Sequence, residues 1–271
     1  MIKRKYVLKN LPKLNATDIL VVKKALDQYY KENKESLKII PPDNIVLEIG
    51  IGLIPLVCPG LNMTKFNIVD DIDRIRENIA RRYGILLPSI RIIDNQLLDT
   101  YEYCIIIKGK EYGKYNIDNK FIAIDGNKAK NKIKGKKIKE PVFNMPAVLI
   151  INKQLEKAFD EGYTIADSQT LILTHLSNIL ETNLDKIFSY DNSKHLLDEI
   201  QKKNPCLIDD ITKNIKFINL KYILEKLISR QVSLINIEKI LELVLININE
   251  NKDVIVENIE KEMKLSHPVT L

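Results

Sequence analysis

The spacing of apolar residues changes near residue 187 of the 271-residue chain, and no other feature of the sequence restricts its folding as much. Beyond about residue 184, Leu and Ile recur at intervals of three and four. That spacing lines up one face of a helix and scatters residues over both faces of a strand. Helices are therefore expected over 193–203, 205–213, 219–230, 236–249 and 252–264, with breaks near Pro205, Val232-Ser233 and Asn251. Before the change, short apolar runs are separated by Gly, Pro, Asn and Asp, the punctuation of strands and turns. Two patterns in one chain predict a domain boundary where they meet. No fixed-period repeat is present.

Residues 1–44 read as a linker with a helix over about 15–33, whose Ile19, Val22, Leu26 and Tyr29 share a face. Pro41-Pro42 stops helical propagation. A buried strand over 45–49 then runs into the string GIGLIPLV, read as a tight turn. Asp70 or Asp71 can cap a helix that carries Ile72, Ile75, Ile79 and Tyr83 in one stripe. Glu77 and Arg81 are spaced for an ion pair on it, and Gly84 supplies its stop. A strand over 90–93 completes a strand–helix–strand unit. The pattern then turns β-rich, with strands over 103–107 and 112–116, a third over 121–124 and another within 141–151. A helix over 153–160 ends at Gly162, a brief strand covers 163–166, and Asp167 or Ser168 caps a long helix with Leu171, Leu176, Ile179 and Leu180 turned inward.

The net charge of +6 would suggest a polyanionic partner if it were spread over the chain. It is not: residues 126–139 read GNKAKNKIKGKKIK, and without those seven lysines the net charge is −1. Such a run reads as a solvated loop or a covered sheet edge, because lysines discourage edge pairing. It lacks the Arg and aromatic residues that stack on bases, so no nucleic acid is expected. The longest apolar runs, 146–151 and 243–248, fall far short of the roughly 18 residues that span a bilayer. The basic N-terminus lacks the apolar stretch of a secretory signal, which leads to the expectation of a cytoplasmic protein. Cys58, Cys104 and Cys206 form no metal or redox spacing and are expected as buried thiols.

Catalysis needs reactive groups that converge, and few candidates exist. His175, His195 and His267 are not at metal-ligand spacing. No nucleophile elbow, phosphate-binding loop or dinucleotide fingerprint occurs. Gly50-Ile-Gly52 lacks the third glycine of such a fingerprint, and the acids of Asp70-Asp71-Ile72-Asp73 suit the positive end of a helix. The pair 219–230 and 236–249 could be taken for a helix-turn-helix. Its second helix, however, presents Glu238 and Glu242 against Lys239, the wrong charge for phosphates. No enzyme, cofactor or metal is expected.

Seven strings, in order, carry a resemblance: VLEIGIGLIPLV (46–57), DRIRENIARRYGILLPSIRIIDN (73–95), EYCIIIKG (102–109), EPVFNMPAVLI (140–150), GYTIADSQTLILTHL (162–176), LLDEIQKKNPCLIDDI (196–211) and LKYILEKLISRQVSLINIEKILE (220–242). Together they resemble the cytoplasmic domain of the flagellar and type III secretion export-gate family, also called FHIPEP. The resemblance implies a multi-subdomain α+β and α/β architecture. Its parts would be an α/β subdomain over 45–118 with 168–187, an inserted β-rich subdomain over 119–167, an all-helical subdomain over 188–265, and a tail over 266–271. It further implies a ring-forming platform that accepts export chaperones and their secreted substrates beside other export-apparatus proteins. The family's transmembrane region and fourth subdomain have no counterpart here, so membrane attachment would come through a missing N-terminal region or partner proteins.

The family docks chaperones at a hydrophobic dimple next to the β-rich insertion. The resemblance assigns this role to Glu140, Phe143, Ala166 and Thr174. The family more often has Asp where Glu140 stands, which keeps the charge on a shorter arm. Read from its neighbours alone, Phe143 is either an exposed aromatic anchor after Pro141 or a core residue. Thr174, inside a helix, reads as solvent-facing or bonded back to its own helix, and His175 as structural.

Overall fold

The computed structural model describes residues 44–57, 68–117, 121–126, 129 and 131–266. The helix expected over 15–33, together with Pro41-Pro42, Cys58 and His267, lies outside the described residues.

Eight strands form two four-stranded sheets among the described residues. In the first, β1 (Ile45–Ile49) is flanked by β2 (Arg91–Asp94) and β3 (Glu102–Ile107), and β4 (Lys110–Asn116) lies outside β3. β1 runs parallel to β2 and antiparallel to β3, which hairpins onto β4. Strand alternation explains the burial. Ile45, Leu47 and Ile49 oppose Ile107, Ile105 and Tyr103, and all six are buried. Glu48 and Glu102 point from the other face and are half-buried.

Helix α1 (Ile68–Tyr83) connects the parallel pair, as a parallel crossover requires. It is already helical at Ile68, two residues before the expected cap. Asp70 and Asp71 therefore sit within the helix as dipole partners instead of capping it, and Ile68 is buried. The Glu77–Arg81 pair forms at 3.0 Å, and Gly84 stops the helix with a φ of +70°. The GIGLIPLV string is not a simple turn: Ile51–Leu56 is a 3-10 helix that tucks Leu53 into the core. Gly50 and Gly52 let it pass beside residues 99–101, where any Cβ would overlap the carbonyl oxygens of Asp99 and Thr100.

The second sheet has the order β6–β7–β5–β8, all antiparallel, from β5 (Phe121–Ile124), β6 (Lys136–Lys139), β7 (Pro146–Ile150) and β8 (Thr164–Ala166). The strand over 121–124 therefore opens a separate sheet and does not extend β3–β4. Both of its faces are used: Ile122 joins the large core, while Ala123 joins a small cluster with Ile133, Ile150, Ala158 and Tyr163. Helix α2 (Leu155–Asp160) supplies Ala158, and Gly162, at φ +88°, turns the chain into β8.

Asp167 accepts the Thr170 N–H at 2.8 Å and caps helix α3 (Ser168–Thr182). Six more helices follow: α4 (Leu184–Ile187), α5 (Tyr190–Lys203), α6 (Pro205–Asn214), α7 (Phe217–Ser229), α8 (Ile237–Ile246) and α9 (Lys252–Ser266). Their buried Leu and Ile residues are those of the three-and-four spacing and join the same large core as the first sheet. In α8, Ile240, Leu241 and Val244 are buried, in keeping with packing. Cys104 is buried as expected, whereas Cys206 is exposed because α6 turns Ile208 and Ile211 inward instead.

Candidate functional site

The segment between β6 and β7 is built around one carboxylate. Glu140 is 1% exposed, and its oxygens accept the backbone N–H of Val142 at 2.6 Å, Phe143 at 2.6 Å and Met145 at 3.0 Å. Its own N–H donates to the Met145 carbonyl at 3.0 Å, closing the loop at its base. Asn144 takes the left-handed conformation (φ +58°) that lets so short a path reverse. Three backbone dipoles can hold a buried carboxylate without a cation, because they converge on the charge as in an anion nest.

Holding Glu140 inward turns Phe143 outward. Phe143 is 61% exposed, so of the two readings its neighbours allowed, the structure takes the surface one. Ala166 ends β8 opposite Ile122 and is buried, forming floor more than contact surface. Thr174 lies on the open side of α3, and its hydroxyl donates to the Thr170 carbonyl at 2.7 Å, so it is both solvent-facing and back-bonded. The sequence-derived residues thus divide by geometry. Phe143 and Thr174 are presented, while Glu140 and Ala166 support.

Beneath the loop lies a polar seat that sequence reasoning did not foresee. The Tyr103 hydroxyl and His175 Nδ1 are 2.8 Å apart, and the His175 ring rests where Gly113 leaves room on β4. Any Cβ at Gly113 would fall within 2.8 Å of that ring. Burial pushes the His175 imidazole below its ordinary value, and the Glu140 carboxylate pulls it the other way. Burial likewise raises the Tyr103 and Tyr115 phenols, with Glu140 adding to both shifts. The Glu140 carboxylate is thus felt at His175 of α3, Tyr103 of β3 and Tyr115 of β4, while its hydrogen bonds go to its own loop. The available signal was the acid–proline–asparagine order of Glu140, Pro141 and Asn144, which is turn chemistry and does not resemble a charged contact.

The depressed imidazole has a consequence for stability. The unfolded chain binds a proton at His175 near its ordinary value of 6.5, while the folded chain resists it. Stability is therefore full above about 6.5 and falls with pH down to the folded value. Urea unfolding followed from neutral to mildly acidic pH is expected to show this loss. A His175→Gln variant, whose amide can still pair with the Tyr103 hydroxyl, is expected to give a flatter profile.

The described residues contain no group of His, Cys, Asp or Glu arranged to hold a metal, and no helix long and apolar enough to cross a membrane. A cavity of about 520 Å³ lies elsewhere, between Arg82, residues 230–236 and Met263-Lys264. Its guanidinium groups are paired, Arg82 with Glu181 and Arg230 with Glu260, so it offers little positive field to an anion.

Residues 7–266 match the FHIPEP family. Over 222 residues the chain is 33% identical to the flagellar biosynthesis protein FlhA of Treponema pallidum, covering 81% of this chain and 31% of that protein. It is 30% identical over 212 residues to FlhA of Borreliella burgdorferi, covering 78% and 30%. The chain therefore spans about a third of the length of these relatives. Among solved structures it is similar to the Chlamydia pneumoniae CdsV protein, with a TM-score of 0.72, 19% identity, and coverage of 84% of this chain and 67% of that one. It is also similar to the nonameric EPEC SctV-C assembly's chain, with a TM-score of 0.64, 15% identity, and coverage of 84% and 68%. These likenesses show a shared mixed helix-and-sheet fold.

Proposed function

The chain belongs to the FHIPEP family, and on that premise we propose that it is a non-catalytic docking platform of a flagellar or type III export apparatus. It binds export chaperones carrying secreted substrates, lies on the cytoplasmic side, and contributes to a homo-oligomeric ring beneath the export gate. The observation that carries this reading is Phe143, an aromatic side chain 61% exposed on a loop that a buried carboxylate holds rigid. An apolar ring held in water by fixed backbone is a pre-ordered anchor, since little entropy remains to be lost on binding. Thr174, exposed on the neighbouring helix, adds polar selection at the rim.

The names of its relatives support the apparatus and the ring. The curated relatives are called flagellar biosynthesis proteins, the EPEC SctV-C structure is described as nonameric, and a further similar structure is described as a complex of CdsV with CdsO. In this reading the first sheet with α1 and α3 is the α/β subdomain over 45–118 and 168–187. The second sheet with α2 is the insertion over 119–167, and α5 to α9 form the helical ring-building subdomain over 188–265. The nonameric relative also favours a second reading, in which the chain builds rings and docks no chaperone.

Crosslinked pull-downs from the source organism, with the chain and its Phe143→Ala variant as baits, separate the two. Docking predicts small helical chaperones or secreted filament proteins that are retained by the chain and lost by at least about tenfold with the variant. The variant's unfolding free energy is expected to stay within about 0.5 kcal/mol, as for other exposed positions. Concentration-dependent oligomers with no such partner on either bait would leave only the ring-building reading.

A further inference from the structure

The described end of the lysine-rich segment, residues 131–139, is unused by the docking loop, yet the structure gives it a definite form. Lys136–Lys139 is the edge strand β6, paired on its inner side with β7 in the register Lys136–Leu149, Lys137–Val148, Ile138–Ala147 and Lys139–Pro146. Among the described residues no element pairs with its outer side. Its position is firmly held. Gly135 allows it to close on β7, since a Cβ there would fall 2.3 Å from the Leu149 carbonyl oxygen. Just before it, the Lys134 carbonyl accepts from Gln154 Nε2 at 2.6 Å, and Asn131 donates to Glu161 at 2.9 Å, strapping residues 131–134 along α2.

The side chains of this edge alternate in chemistry as well as direction. Lys137 and Lys139 lie on the face shared with Val148, while Ile138 turns to the opposite face and packs against the large core. Lys136, Lys137 and Lys139 are all exposed. A row of lysines repels neutral or basic strands and so protects a sheet edge from self-pairing. The same row would attract an acidic strand, because opposite charges directly across a ladder stabilise the pair.

We propose that the outer edge of β6 is a docking site for an extended acidic segment of a partner protein, which adds to the second sheet as a further strand. The register fixes the pattern it reads. Acidic residues fall at alternate positions beside Lys137 and Lys139, and apolar residues between them extend the half-buried surface of Ile138. Main-chain hydrogen bonds supply affinity and the two faces supply selection, as in other strand-addition complexes. The lysines reject partners of the wrong charge, so one feature serves both exclusion and recognition.

The test uses the full chain and a labelled, end-blocked peptide of about seven alternating Glu and Val residues, an ordinary strand length. Fluorescence anisotropy is expected to show binding that weakens as salt rises from ~50 to ~200 mM. Lys137→Gln combined with Lys139→Gln should weaken it at least about tenfold while leaving the thermal melt unchanged. A peptide N-methylated at alternate amides should lose binding to the unaltered chain, since strand addition needs those donors. Equal binding of the methylated peptide, or equal competition by single-stranded DNA, would reduce the site to a charge patch and overturn strand addition. No binding at low salt would overturn it outright. The inference is independent of docking at Phe143, so Phe143→Ala should keep the peptide's affinity. A loss matching that of the lysine variant would put the peptide on the loop instead and sink the proposal.

Discussion

Replacing Glu140 with alanine is expected to destabilise the protein by about 3–4 kcal/mol and to abolish partner docking together with the loop's shape. The size follows from what the carboxylate holds. It accepts three backbone N–H groups, two of them at 2.6 Å, from a position 1% exposed. Each hydrogen bond to a charged acceptor contributes roughly 1.5–3 kcal/mol, but the losses do not add fully, because a surface loop can open to water. Glutamine at 140 is expected to fall between the two. Its single amide oxygen can still accept, but its NH₂ group would face a backbone donor.

This pair of variants also decides how Glu140 acts. If its charge met the partner directly, Glu140→Gln would lose far more binding than its partial loss of stability and loop order accounts for. If it acts by positioning Phe143, as the geometry indicates, binding and stability should fall together. Faster amide exchange at Val142, Phe143 and Met145 should accompany the fall. Exchange measured by NMR on the free chain separates these outcomes without any partner.

Glu140 also marks where sequence reading stops. Helices α5 to α9 were legible because Leu and Ile at three-and-four spacing can be buried together only in a helix. The Glu77–Arg81 pair and the Asp167 cap were legible because both are local, settled within four residues. The strand over 121–124 was visible, but its sheet was not. Ile122 and Ala123 are buried on opposite faces in different clusters, so no alternation marked which core it served. Asp70 and Asp71 read as caps because acids suit both a cap and a first turn, and only the structure shows them already inside α1. At the site, Phe143 could be read either way from its neighbours. What decides its exposure is a set of hydrogen bonds from backbone groups to Glu140, and a sequence does not display backbone groups. Tyr103, Gly113 and His175 were missed as a set because β3, β4 and α3 bring them together from widely separated positions.

Gly84→Ala is the second large expected effect, a loss of about 3 kcal/mol or more, although Gly84 touches neither candidate docking surface. From sequence Gly84 is a helix stop, and in the structure it also admits another backbone. A Cβ there would lie 2.8 Å from the Ile235 nitrogen and the Leu234 carbonyl carbon, atoms that no side-chain rotation can move away. The contact matters because the end of α1 is capped from far along the chain. The Leu234 N–H donates to the Tyr83 carbonyl at 2.8 Å, and the Ser233 hydroxyl to the Arg82 carbonyl at 2.8 Å. Displacing that loop frees the last carbonyls of α1 and loosens Leu234, which is buried. Alanine at φ +70° adds roughly 1 kcal/mol of its own strain. Asparagine separates the two causes, since it tolerates the left-handed conformation but still carries a Cβ. If close approach dominates, Gly84→Asn should melt as low as Gly84→Ala, about 6–12 °C below the unaltered chain. If Asn recovers most of the loss, the conformation alone was at stake, and the loop over 230–236 does not need to press on α1 for the two parts to hold together.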